Sequence, residues 1–194
     1  MSQAPFPAWR PGAGDRAALA AVSQRMQTAC PPGAPSLHPR RADQWHVTLC
    51  FIGHAVDAAV MPALLDAFAD AATRIPPHVC SIERLAYWPQ SGAVVALPHP
   101  CPALQALCDA ARDAVRRIGI VPAQATTQPH LTLAYLDKHL GPQPWLDRIA
   151  CATGPLAVDG FELLFNPGGR YDALAHWPLS GAPLPPPPHQ AALF

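Results

Sequence analysis

Residues Trp45–Gly53 read WHVTLCFIG, and the same short phrase returns at Pro129–Leu136 as PHLTLAYL. Both contain His-x-Thr-Leu, at His46 and Thr48 and again at His130 and Thr132. In the first copy Trp45, Val47, Leu49 and Phe51 alternate with His46, Thr48, Cys50 and Ile52, a period of two that makes Trp45–Ile52 a strand. The second, His130–Leu136, reads the same way. Residues two apart share a face, so each polar His/Thr pair should look into a cleft while Val47 and Leu49, or Leu131 and Leu133, anchor the strand in a core.

The segments around the two motifs repeat a helix-then-strand order. Asp15 is suited to cap a helix carrying Leu19, Val22 and Met26 at helical spacing, which ends before the breaker CPPGAP at Cys30–Pro35. A second helix is expected over Asp57–Thr73, with Val60, Leu64, Phe68 and Ala71 on its stripe and Pro62 admissible only in the first turn. Strands near Val79–Tyr87 and Ala93–Leu97, divided by WPQSG, lead to a third helix over Pro102–Ile118. After the second motif a helical turn near Trp145–Ala150 precedes strands at Leu156–Phe165 and Tyr171–Trp177. The motifs stand almost half a chain apart. The expectation is therefore an α+β duplication: one bilobal domain over 1–180, two lobes of antiparallel sheet and helix about a pseudo-twofold axis and a central cleft. Residues 181–194, which include PLPPPPHQAALF, read as a flexible proline-rich tail.

Composition narrows the function classes. Of 194 residues half are hydrophobic, only 13% are charged, and 26 are proline. Thirteen Lys+Arg balance thirteen Asp+Glu, so no net positive field exists to hold a long nucleic acid by counterion release. A nucleic-acid substrate should be short or gripped at an end. The six cysteines, Cys30, Cys50, Cys80, Cys101, Cys108 and Cys151, show no zinc spacing. Without a signal peptide or an apolar run of membrane-spanning length, they read as reduced thiols of a cytoplasmic, unanchored protein, and a monomer is expected.

Two imidazoles and two hydroxyls facing one cleft form a constellation with definite chemistry. An imidazole titrates near pH 6.5, so one histidine can accept a proton while the other, held protonated, donates one. Threonine hydroxyls beside them can bind non-bridging oxygens of a phosphate and stabilise charge in the transition state. Such a site needs no metal. A single His-x-Thr carries almost no information; two, each followed by Leu on an alternating strand, carry much more.

On these residues, DQWHVTLCFIG at Asp43–Gly53 and QPHLTLAYL at Gln128–Leu136, the chain resembles the two-histidine (2H) phosphoesterase superfamily. It is most similar to the RNA 2′,3′-cyclic phosphodiesterases, also called 2′-5′ RNA ligases, with weaker support from FELLF at 161–165 and RYDALAHWPL at 170–179. The resemblance implies metal-independent hydrolysis of a 2′,3′-cyclic phosphate at an RNA end, or on a nucleotide, to a 2′-phosphomonoester, with reversible 2′-5′ ligation as a side activity. It assigns His46 as proton donor and His130 as proton acceptor, with Thr48 and Thr132 holding the phosphate. A different small cyclic nucleotide or a 2′-5′ linkage stays open as substrate, as does an idle RNA-end binding module. Two departures stand out. Tyr135 occupies the place where the family tends to carry arginine. The family's apolar first strand falls on PFPAWRP, whose three prolines suit an edge strand or a differently built first lobe.

Among other residues, Arg40 and Arg41 can meet RNA phosphates at the cleft mouth but read as a solvated loop pair. Trp45 should pack in the core, and Trp88, in a loop, is the better candidate for base stacking. His38, His54, His78, His99, His139, His176 and His189 read as surface or packing residues, and Arg112, Arg116 and Arg117 as the solvent face of the third helix.

Overall fold

A computed structural model describes residues 4–32, 36–53, 55–136 and 143–182. In chain order the elements are β1 (Phe6–Trp9), α1 (Ala13–Ala29), β2 (His38–Pro39), a 3₁₀ turn (Ala42–Gln44), β3 (Val47–Thr48), β4 (Cys50–Phe51), α2 (Met61–Arg74), β5 (His78–Cys80) and β6 (Ile82–Trp88). They continue with β7 (Ala93–Pro98), α3 (Pro102–Arg117), β8 (Gln124–Ala125), β9 (Leu131–Tyr135), α4 (Gln143–Leu146), β10 (Leu156–Val158), β11 (Gly160–Phe165) and β12 (Asp172–Pro178). Two four-stranded sheets, in the orders β12-β11-β1-β3 and β2-β9-β7-β6, each carry one His-x-Thr motif; all their pairings are antiparallel. The α+β architecture with two motif-bearing sheets is the expected one.

The sheets are coupled by a reciprocal exchange. β2, shortly before the first motif, pairs with the second motif strand (His38 opposite Tyr135), while β8, shortly before the second motif, pairs with the end of the first (Phe51 opposite Gln124). Each motif is thus clamped by the approach segment of the other. Beneath both sheets one apolar core runs continuously through Trp9, Val47 and Leu49, through Val94, Leu131 and Leu133, and into the buried stripes of α1, α2 and α3. Val47, Leu49, Leu131 and Leu133 are at most 1% exposed. A one-residue slip of either strand would lift its two anchors into water at about 1.5–3 kcal/mol per side chain, which fixes the register.

The proline-bearing N-terminal segment corrects the expectation of an edge strand: β1 lies inside its sheet, paired with β11 on one side and β3 on the other. Backbone polarity explains how. Within a strand a residue's N–H and C=O point to the same side, and the Pro7 carbonyl accepts from Leu49 N at 2.9 Å. The N–H that Pro7 lacks is therefore missing only from the side of Leu49, and the ladder to β11 stays intact. The same absence breaks the first motif strand. Leu49 receives no reciprocal bond from Pro7, and instead of one strand over 45–52 there are two short ones flanking it.

That break shifts the phase of alternation. Beyond Leu49, Cys50 and Ile52 are buried while Phe51 is 44% exposed, the reverse of the regular strand. The second motif does the same: its pairing with β7 shifts register between Val94 and Val95, after which Ala134 and Leu136 are buried and Tyr135 is 38% exposed. An irregularity at each motif leucine turns the aromatic residue five places after the histidine out of the core.

Helix boundaries moved for local reasons. α1 begins at Ala13 after Gly12, and Asp15 does not cap it; its carboxylate, in the first turn, accepts from Ala157 N at 3.0 Å. α2 begins at Met61, since Asp57 makes its own turn by accepting from Ala59 N at 2.9 Å, and Pro62 falls in the first turn as required. Arg112 pairs with Asp109 of its own helix at 2.8 Å, and Arg117 pairs across to Asp70 of α2 at 2.8 Å. Gly181 donates to the Ile75 carbonyl at 3.0 Å. The rest of the proline tail from residue 183 lies outside the described residues, as do His54, His139 and His189.

Candidate active site

Each sheet has a second face, turned away from the common core, and it carries the polar pair. On one, Thr48 lies opposite Ala8 and His46 packs against Phe6, with Ala8, Phe6 and Leu164 forming a small buried cluster. On the other, Thr132 lies opposite Val95, which clusters with Ala86, Ala93 and Leu97 beneath Trp88. All four motif side chains are half-buried while their apolar neighbours are sealed in the core. The alternation read from the sequence holds for the core side, where Val47, Leu49, Leu131 and Leu133 are buried.

A cavity of about 370 Å³ brings the motifs together: Thr48 and Phe51 from the first, His130 from the second, Trp88 from the end of β6, and the segment from Gln124 to Gln128 line it. The hydroxyl of Thr126 in that segment donates to the Thr48 carbonyl at 2.8 Å, tying one motif to the approach strand of the other. His46 and Thr132 stand outside this wall. His46 is nevertheless within electrostatic reach of His130: a proton on His130 disfavours protonation of His46.

Both imidazoles are held alike. His46 Nδ1 is 2.8 Å from the Gln44 carbonyl and His130 Nδ1 is 2.9 Å from the Gln128 carbonyl. A carbonyl only accepts, so Nδ1 carries the hydrogen and Nε2 is left with its lone pair when the ring is neutral. Burial disfavours the charged form of each ring. His46 is pushed down to about 4, with Arg40, His130 and Arg10 adding to burial and the Gln44 carbonyl opposing it. His130 is also lowered, by burial, against the opposing Gln128 carbonyl. At neutral pH both rings of the free site are therefore neutral.

Aromatic rings back the histidines symmetrically. Tyr171 lies edge-on to His46 with ring centroids 4.7 Å apart, and Trp88 lies against His130 at 4.2 Å. Trp88 belongs to β6 and not to a loop, and its ring contacts His130 while lining the cavity. Trp45 is buried as expected. Arg41 pairs with Asp43 at 2.8 Å on the exposed surface, matching its solvated reading. Arg40 does not match: its Nη2 donates to the Tyr171 hydroxyl at 3.0 Å, and its guanidinium lies 5.7 Å from the Tyr135 ring centroid and 5.9 Å from that of Tyr171. The sequence signal for Arg40 was present, six residues before His46, but its place depends on the distant pairing of β2 with β9.

No group of three or more His, Cys, Asp or Glu among the described residues could hold a metal ion, and no described helix is long and apolar enough to cross a membrane. The six cysteines are free thiols, and burial pushes Cys50 to about 11 and Cys80 and Cys108 to about 12, far from nucleophilic ionisation at neutral pH.

Comparison with known proteins extends this picture. The family model of the 2′-5′ RNA ligase superfamily matches residues 12–166. Among solved structures, Escherichia coli LigT complexed with 3′-AMP superposes with a TM-score of 0.71 at 23% identity, covering 93% of this chain and 99% of that one. The same protein in apo form gives 0.69 at 26% identity, covering 92% and 98%. A Thermus thermophilus protein gives 0.71 at 21% identity, covering 91% and 98%. No curated protein matches the sequence significantly. With the family model spanning most of the chain and the fold shared over more than nine-tenths of it, the chain belongs to the 2′-5′ RNA ligase superfamily, the two-histidine phosphoesterases.

Proposed function

We propose that this protein hydrolyses the 2′,3′-cyclic phosphate at an RNA end to a 2′-phosphomonoester, without a metal or cofactor, and that reversible 2′-5′ ligation is a side activity of the same site. The observation that carries the reading is the shared wall of one cavity, where Thr48 of the first motif meets His130 of the second. Further support comes from relatives. Escherichia coli LigT has been solved with 3′-AMP and with phosphate, ligands with the chemistry of a nucleotide end.

In the proposed reaction water attacks phosphorus and the P–O3′ bond breaks. His130, neutral with a free Nε2, takes the proton of the attacking water; His46 gives its Nε2 proton to the departing O3′. Thr48 and Thr132 donate to the non-bridging oxygens, where charge accumulates. The donor role requires His46 to be protonated although burial keeps it neutral in the free site. The negative phosphate supplies the compensation: an anion beside the ring favours its charged form. Equal numbers of basic and acidic residues favour a short, end-on substrate over a long strand lying across the surface.

The test is product analysis with chelator present, comparing a 2′,3′-cyclic-phosphate-ended oligoribonucleotide, a small cyclic nucleotide and a 2′-5′ dinucleotide. Conversion of the first to a 2′-phosphate end supports the proposal. Turnover of only one of the others moves the reading to that substrate, and binding without turnover of any makes the protein an RNA-end binding module.

A further inference from the structure

Three groups place positive or titratable charge near His46: Arg10, Arg40 and His130. Arg10, just after β1, is committed to Glu162 of β11, with Nη2 donating to Oε1 at 2.9 Å. His130 is held neutral by burial. Arg40 differs. No carboxylate among the described residues pairs with it, and its head is mounted on two rings, against Tyr135 and Tyr171, with one bond to the Tyr171 hydroxyl. Its backbone is fixed as well, since Arg40 N donates to the carbonyl of Leu133 in the second motif at 2.7 Å. Tyr171 in turn lies edge-on to His46. A guanidinium has five N–H donors in a planar fork suited to phosphoryl oxygens, and only one of these is engaged by Tyr171.

We propose that Arg40 is the cation that receives an anionic phosphoryl oxygen at this site, with Tyr135 and Tyr171 as its mount. The inference deepens the proposed phosphodiesterase reading and rests on it for the identity of the substrate. It also gives Tyr135 a role: one face of its ring carries the charge-bearing residue, which leaves that face unsuited to a nucleobase. The bond between β2 and β9 delivers the charge, since it brings the residue after Pro39 beside the second motif strand. A phosphate that neutralises Arg40 removes one of the charges opposing protonation of His46, so anion binding and the arming of the proton donor become one event.

Inorganic phosphate is the probe, with binding measured by calorimetry and His46 followed by NMR titration in wild type, Arg40→Met, Arg40→Lys and Tyr171→Phe, and Arg116→Met as a surface control. Arg40→Met should weaken phosphate at least tenfold and raise the His46 pKa in the free protein. Arg40→Lys, keeping charge without the fork, should recover part of the affinity, and it carries the test if Arg40→Met fails to fold. Phosphate affinity in Arg40→Met, or in Arg40→Lys if only that variant folds, equal to wild type, with an unmoved His46 titration, overturns the proposal. These readouts need no turnover. Arg40-dependent phosphate binding in a protein that leaves cyclic phosphates intact defeats the proposed reaction alone, whereas full kcat/KM in Arg40→Met on the cyclic end defeats this inference alone.

Discussion

The ring of Trp88 lies against that of His130, with centroids 4.2 Å apart and planes inclined at 61°. The indole keeps water from one side of the imidazole, and burial is the cause of the lowered His130 pKa. Trp88→Ala should therefore raise that pKa towards 6.5 and shift the pH profile of kcat/KM with it, while kcat/KM falls on the order of tenfold as the ring loses its support. Trp88→Phe should keep most of both. An unmoved His130 titration in Trp88→Ala would show that the contact has no part in tuning His130.

The depressed pKa of His46 makes stability depend on pH. Between about 4 and the ordinary 6.5 the unfolded chain binds a proton that the folded chain refuses. The contribution is complete above pH 6.5 and is lost as pH falls towards 4, amounting to about 3 kcal/mol. Denaturant unfolding of wild type and His46→Gln at pH 7.5 and 4.5 measures it: the wild type should lose more stability on acidification than the variant. Equal losses would mean that His46 is not desolvated.

Gly53 closes the first motif with φ near +85°, and a Cβ there would sit 2.3 Å from the Cβ of Ala123. Ala123 directly precedes β8, one wall of the cavity, and its N–H reaches the Ile52 carbonyl at 3.3 Å. Gly53→Ala should cost about 3 kcal/mol, combining strained backbone with overpacking, and should lower activity by displacing β8. The double variant Gly53→Ala/Ala123→Gly removes the clash but not the strain, so thermal unfolding should recover about half the loss. No recovery would assign the whole cost to backbone conformation.

These relationships separate what was legible in the sequence from what was not. The placement of His46 and Thr48 opposite Val47 and Leu49 could be read because alternation is local and burial of the apolar pair enforces it. The three long helices could be read from their stripes. The exposure of Phe51 and Tyr135 could not, because each phase change arises in pairing with a remote strand, Pro7 in one case and β7 in the other. The mounting of Arg40 could not be read for a similar reason: a two-residue strand with no periodicity puts it beside Tyr135, nearly a hundred residues away. The central position of β1 was hidden because a proline's effect depends on which side its missing N–H faces.

If the two motifs form one catalytic site, both histidines must act in the same turnover. Turnover of a 2′,3′-cyclic-phosphate-ended oligoribonucleotide, with chelator present, by wild type, His46→Ala, His130→Ala and the double variant measures this. Each single substitution should cost about 10² to 10⁴ in kcat. The double variant should be little worse than either single, because an acid and a base that act in one step are not additive. Full activity in either single variant would contradict a shared two-histidine mechanism.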